Sequence, residues 1–148
     1  MNYVEMRAEL EDVKRIDNGE RHYYLDCKYD GELLYEFEGK KYRVIMQIDD
    51  PDLRKDRIRL DIYPTILAHY GKDRMPAYMF ESVECAKNAI RDITLFICPT
   101  AIREREDYAG NMNLTMTVDL KTVYTFIYKE ETVTVEHSEK IQFLVQEV

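Results

Sequence analysis

Side chains able to act together on a ligand are concentrated in one short stretch, His69-Tyr70-Gly71-Lys72-Asp73-Arg74. His69 offers an imidazole, Tyr70 a phenol, and Lys72 and Arg74 two cations. The stretch precedes a segment with helical periodicity. A helix N-terminus favours anions through its unpaired N–H groups and its dipole. His69, Tyr70, Lys72 and Arg74 are therefore the candidate ligand-binding residues, for a small anion held between sheet and helix. The plain alternative is a solvated connector.

Other chemistries find less support in the spacing. His22, His69 and His137 are far apart, and neither a His-x₃-His nor a Cys-x₂-Cys pair is present. No metal and no other cofactor is expected. His137 shares the parity of Val133 and Val135, so it should point inward as a hydrogen-bonded structural histidine. Asp49, Asp50, Asp52 and Asp56 offer oxygens suited to a hard cation. Their loop lacks the glycine and terminal glutamate of a calcium hand, and Lys55 and Arg57 neutralise it, so an Asp-Pro turn accounts for it.

Nucleophiles fare no better. Cys27 follows the buried parity of its strand, Cys85 lies mid-helix, and Cys98 ends that helix, where the dipole disfavours a thiolate. Ser82 and Ser138 sit outside any Gly-x-Ser-x-Gly elbow, and the five glycines are isolated turn residues rather than a phosphate loop. Arg57, Arg59 and Asp61 alternate as charges lining a tunnel would. However, Glu9-Leu10-Glu11-Asp12-Val13 lacks the lysine of the Glu-x-Glu-x-Lys signature of tripolyphosphate tunnels, which arrives one place late at Lys14. No catalytic residue is assigned, and the chain leans away from being an enzyme.

The elements that must position these residues follow from periodicity. Met79, Val83, Ala86, Ile90, Ile93 and Ile97 recur at steps of three or four, so a helix is expected over Tyr78–Cys98, with Asp73 as N-cap, Pro76 in the first turn and Pro99 as stop. Leu95 and Phe96 break its apolar face, which leaves a β run over Ile93–Cys98 as the competing reading. About five strands precede it: Val4–Leu10 with a bulge near Glu11-Asp12, Tyr23–Tyr29 after an Asn18-Gly19 hairpin turn, Leu34–Phe37, Tyr42–Ile48 and Ile58–Ile62. One helical turn is expected at Ile66–Tyr70, ended by a turn at Gly71.

About four strands follow. Met112, Leu114, Met116, Val118, Leu120, Tyr124, Phe126 and Tyr128 all hold even positions, and one strand of that length would span on the order of 55 Å. A turn at Asp119–Thr122 is therefore expected, with a single long arm as the alternative. Glu130-Glu131 and Ser138-Glu139 mark further turns. The fold class is α+β: a mainly antiparallel sheet of about nine strands, curled or barrel-like, with one central amphipathic helix on its apolar face.

The 148 residues make a single domain. A net charge of −8 without clustered Lys and Arg argues against nucleic acid. No window is long and apolar enough for a membrane span, and Met1–Glu5 lacks the pattern of a secretory signal. Three cysteines at wide spacing suit reduced thiols, hence a cytoplasmic location. The function that remains is a non-enzymatic protein-interaction or assembly module. It would work by self-association as a structural subunit, or as an acidic inhibitor or immunity-type protein. Its surface is placed at Tyr124, Phe126 and Tyr128 in the long even run.

Overall fold

Apolar residues alternating with polar ones give eight strands among the described residues, and three short helical elements sit between the fifth and the sixth. The computed structural model describes residues 3–17, 21–30, 33–50, 52–53 and 56–148, with the backbone alone at 17, 21 and 22. The Asn18-Gly19 turn, Gly31, Pro51 and Lys55, and the side chain of His22, lie outside the described residues. The strands are β1 (Val4–Asp17), β2 (Arg21–Tyr29), β3 (Leu34–Phe37), β4 (Lys40–Gln47), β5 (Arg57–Leu60), β6 (Ile90–Glu106), β7 (Met112–Tyr128) and β8 (Glu131–Glu147). The helices are α1 (Tyr63–Tyr70) and α2 (Val83–Ala89), with a 3₁₀ turn at Ala77–Phe80 between them.

All pairings are antiparallel, in the order β3-β4-β8-β7-β6-β1-β2-β5. Three strands of 17 residues each, β6, β7 and β8, form the spine. The outer strands hang from opposite ends of it. β1 joins β6 only along Val4–Arg7, opposite Ile97–Thr94, whereas β4 joins β8 at Phe143–Glu147. The sheet curls until β3 nears β6 and β4 nears β5, yet neither pair forms a ladder, so it stays open. α1 packs against β8 and β2, and α2 against β1, β6 and β7. The core between them holds Leu25, Ile58, Ile66, Met79, Leu95 and Phe143, all without exposed surface. No helix among the described residues is long and apolar enough to cross a membrane.

The expected central helix is the main correction. Of Tyr78–Cys98, only Val83–Ala89 is α-helix, capped by Ser82, whose hydroxyl accepts from the Cys85 N–H at 3.1 Å; Asp73 is not the cap. From Ile90 onward the chain is β6. One bulge explains the misleading step from Ile90 to Ile93. Ile90 pairs with Phe126 but Asp92 with Thr125, so an extra residue at Arg91 brings Ile90 and Ile93 to the same face although they are three apart. A second bulge, at Thr100, lies beyond the expected helix. The β-branched residues of Ile90, Ile93, Thr94 and Ile97 fit a pleated strand better than a helix. Pro99, expected to stop a helix, sits beside the second bulge, beyond the reach of β1, where a missing N–H breaks no ladder.

The turns expected at Asp119–Thr122 and Ser138-Glu139 are absent as well. β7 runs unbroken from Met112 to Tyr128, paired along its length by β6 on one side and β8 on the other. The count is eight strands rather than nine because two expected pairs merge into β7 and β8 while β6 is gained. Other expectations hold: the five early strands, the bulge between Leu10 and Asp12, and the helical turn before Gly71.

β7 and β8 are joined by the two-residue turn Lys129-Glu130, with φ of +49° and +66° between the paired Tyr128 and Glu131. Positive φ at both positions matches the right-handed twist of the flanking strands but strains side chains that carry a Cβ. Lys129→Asn with Glu130→Gly is expected to raise stability by about 1 kcal/mol, read as a higher Tm with an unchanged far-UV spectrum.

Candidate functional site

The stretch singled out by its chemistry lies past a helix C-terminus rather than ahead of an N-terminus. His69 and Tyr70 form the last turn of α1, Gly71 caps it at φ +81°, and Lys72 and Arg74 are exposed beyond. The dipole at this end disfavours an anion. Tyr70 instead turns inward, its ring 5.9 Å from Phe126 and 4.9 Å from Tyr128, with His69 edge-on at 4.7 Å. The Tyr128 hydroxyl donates to the Arg74 carbonyl at 3.1 Å, so these residues anchor the connector to the end of β7. The expected interaction surface also changes. Tyr124 and Phe126 are 1% and 0% exposed, on the inner face of β7, and Tyr128 is half-buried.

Three histidine-linked groups do come together. Thr65 Oγ1 lies 2.6 Å from His137 Nδ1, and His137 Nε2 lies 2.6 Å from Glu139 Oε2. The order hydroxyl, imidazole, carboxylate is that of an acyl-transfer triad. Its setting is that of a strut: Thr65 sits in the first turn of α1, and His137 and Glu139 share the inward parity of Val135 and Ile141 on β8. None of the three clefts described below is lined by it. The chain of bonds fastens α1 to the spine.

The densest polar network surrounds Arg59, whose side chain is 4% exposed. Its Nε and Nη2 donate to Asp26 on β2 at 2.7 and 3.0 Å, and its Nη1 donates to Asp50 at 3.0 Å and to Asp52 at 3.1 Å. The Gln47 side chain on β4 accepts from the Arg59 N–H at 2.9 Å and donates to its carbonyl at 3.4 Å. Lys14 completes the set at Asp52. The four aspartates that suggested a cation ligand set are thus divided. Asp50 and Asp52 serve Arg59, Asp56 pairs with Arg57 at 2.6 Å, and Asp49 is exposed. Hydrogen bonds from Lys14 and Arg59 hold the Asp52 carboxyl at about 2, below its ordinary 3.8, while burial pushes Asp50 up against the pull of Arg59. Bonding to Asp26 raises the guanidinium further. A cleft of about 420 Å³ opens beside this network, between β1 and β5.

Two other concavities matter. One, of about 540 Å³, is a slot where β1 and the start of β6 diverge, with Lys28, Lys87 and Arg91 at its rim. The other, of about 490 Å³, lies where Met46, Ile48 and Leu144 meet the β6–β7 turn, with Tyr108 over it. Tyr108 is fully exposed and Met112 is 61% exposed. The sequence signals for both were faint, because the cations are spread over three elements and the turn looked merely polar. Comparison with protein-family models, with curated proteins and with solved structures finds no match.

The Arg59 network makes two expectations. Arg59→Met strands the Asp26 carboxylate, 11% exposed, and should cost about 3–5 kcal/mol in urea unfolding, much of it recovered in Arg59→Met with Asp26→Leu. For pH, a depressed carboxyl stabilises the fold fully above its ordinary 3.8, and the contribution fades as pH falls towards about 2. Wild type should therefore lose more stability across that window than Asp52→Asn, measured by urea midpoints.

Proposed function

We propose that the chain is a self-associating assembly module that pairs through the outer edge of β6. The carrying observation is the segment Arg103-Glu104-Arg105-Glu106, exposed at the free end of the spine. β1 leaves β6 at Ile97, and among the described residues no second strand pairs with Cys98–Glu106. An edge of this kind presents unpaired N–H and C=O groups to any neighbouring chain.

The charges select the neighbour. None of the four side chains has an ion-pair partner among the described residues. Laid antiparallel against a second copy about a two-fold axis, Arg103 faces Glu106 and Glu104 faces Arg105, and symmetry repeats both pairs. Opposite charges directly across a ladder stabilise it by about 0.2–1 kcal/mol each, and a one-residue slip would set like charges against each other. The alternation therefore suits a copy of itself and rejects mismatched edges. Tyr108 and Met112, exposed at the tip, supply the apolar contact that the edge alone lacks. This reading keeps the assembly role expected from the sequence and moves it from Tyr124 and Phe126 to the hairpin end.

Sedimentation velocity from low to high micromolar protein tests it. Wild type should dimerise, more weakly at high salt. Arg103→Glu with Arg105→Glu should stay monomeric with an unchanged Tm. Mixing that variant with Glu104→Arg/Glu106→Arg should restore a mixed dimer. A wild type that remains monomeric throughout, or a charge-reversed variant that dimerises as well as wild type, overturns the proposal.

A further inference from the structure

The slot beside β1 has a definite origin. β1 follows β6 only as far as Arg7, opposite Thr94, and from Ala8 onward pairs with β2 instead. β6 meanwhile continues back to Ile90, and the bulge at Arg91 turns it further away. The wall of the sheet therefore splits, leaving an opening of about 540 Å³, within the range that holds small molecules. Arg7 and Asp92 bridge the base of the split at 2.8 Å.

Its lining has two characters. Ala8, Leu10, Ile90 and Ile93 give apolar walls, the last three buried. At the rim, Lys28 comes from β2 and Lys87 and Arg91 from the α2–β6 junction; all three are exposed and without an ion-pair partner among the described residues. Glu9 and Asp30 are the acids left after Arg7 engages Asp92, so cations prevail locally in a chain of net charge −8. A second observation is independent of charge. Tyr29 lines the same slot at 5% exposure, and its buried hydroxyl has no hydrogen-bond partner among the described residues. Buried polar groups are nearly always satisfied, so an unpaired one asks for an explanation; Tyr29 is one of several among the described residues, and the one that lines this slot. Burial holds this phenol in its neutral, donating form.

We propose that the slot between β1 and the start of β6 binds a small organic anion, an apolar body carrying a phosphate or carboxylate group. The body lies between Leu10 and Ile93, Lys87 and Arg91 meet the oxyanion with charge-assisted hydrogen bonds, and Tyr29 donates to a polar atom of the ligand. This places anion recognition away from residues 69–74, on cations without an ion-pair partner among the described residues.

The test is titration of isotopically labelled protein with phenyl phosphate, benzoate and inorganic phosphate, each to on the order of 10 mM, following amide shifts and Tm. Phenyl phosphate or benzoate should move the Tyr29, Arg91 and Ile93 amides saturably, and the tighter of the two identifies the head group. Lys87→Ala with Arg91→Ala should weaken that binding about tenfold or more without lowering Tm, and Lys41→Ala should not. Tyr29→Phe should weaken it with the fold retained. No saturable shift with either organic anion overturns the proposal. So does inorganic phosphate binding as tightly as both, or shifts indifferent to the double substitution.

Discussion

One buried guanidinium determines how this sheet is shaped. Arg59 stands on the short edge strand β5, and its carboxylate partners approach from both sides: Asp26 from β2 and Asp50 and Asp52 from the connection after β4. Removing an arginine from water costs several kcal/mol unless its donors are met, so the elements that meet them must stay together or the charge is stranded. β5 belongs to the group hung from the upper end of the spine, and β4 to the group hung from the lower end. Gln47 adds the missing geometry, its side-chain amide bonding both backbone groups of Arg59 as a neighbouring strand would. The sheet is drawn into a curl without becoming a closed barrel. α1 then fits over the core, fastened to β8 through Thr65 and His137.

Most of the strand pattern was legible because alternation survives wherever one face is buried. It failed where the ladder is irregular. A helical step of three is what a bulged strand produces, so Ile90 and Ile93 satisfied a helix period for a reason unconnected with helices. The even run over Met112–Tyr128 shows one apolar face, but its length implied a turn at Asp119–Thr122 that the structure does not have. A strand that long becomes sustainable once it has full-length neighbours on both sides, a fact about β6 and β8 that its own residues do not carry.

The sites were less legible, for a related reason. His69, Tyr70, Lys72 and Arg74 are close in sequence, yet α1 ends among them and two of the four serve packing or bonding to β7. His137 did turn inward, as its parity implied; Glu139 lies two residues on along β8, but the other partner, Thr65, comes from α1. In the sequence Arg59 is one of an alternating set of charges. Its burial on a strand whose neighbours Ile58 and Leu60 are also buried could not be foreseen, because alternation implies one wet face and β5 has none. Spacing along the chain finds sites built on one element, and here both polar clusters draw on more than one.

The attachment of the outer strands bears on how the chain reaches its fold. Val4 must find Ile97, and Tyr42 must find Glu147, before either outer group has a sheet to join. The early strands can form hairpins with each other, but their remaining edges stay open until the spine exists. Pairings so distant in sequence slow folding, because a large loop must close before any contact rewards it. The spine itself is local, two successive hairpins joined by short turns. Its local contacts favour it as the nucleus, so β1 to β5 are made before the spine and secured after it.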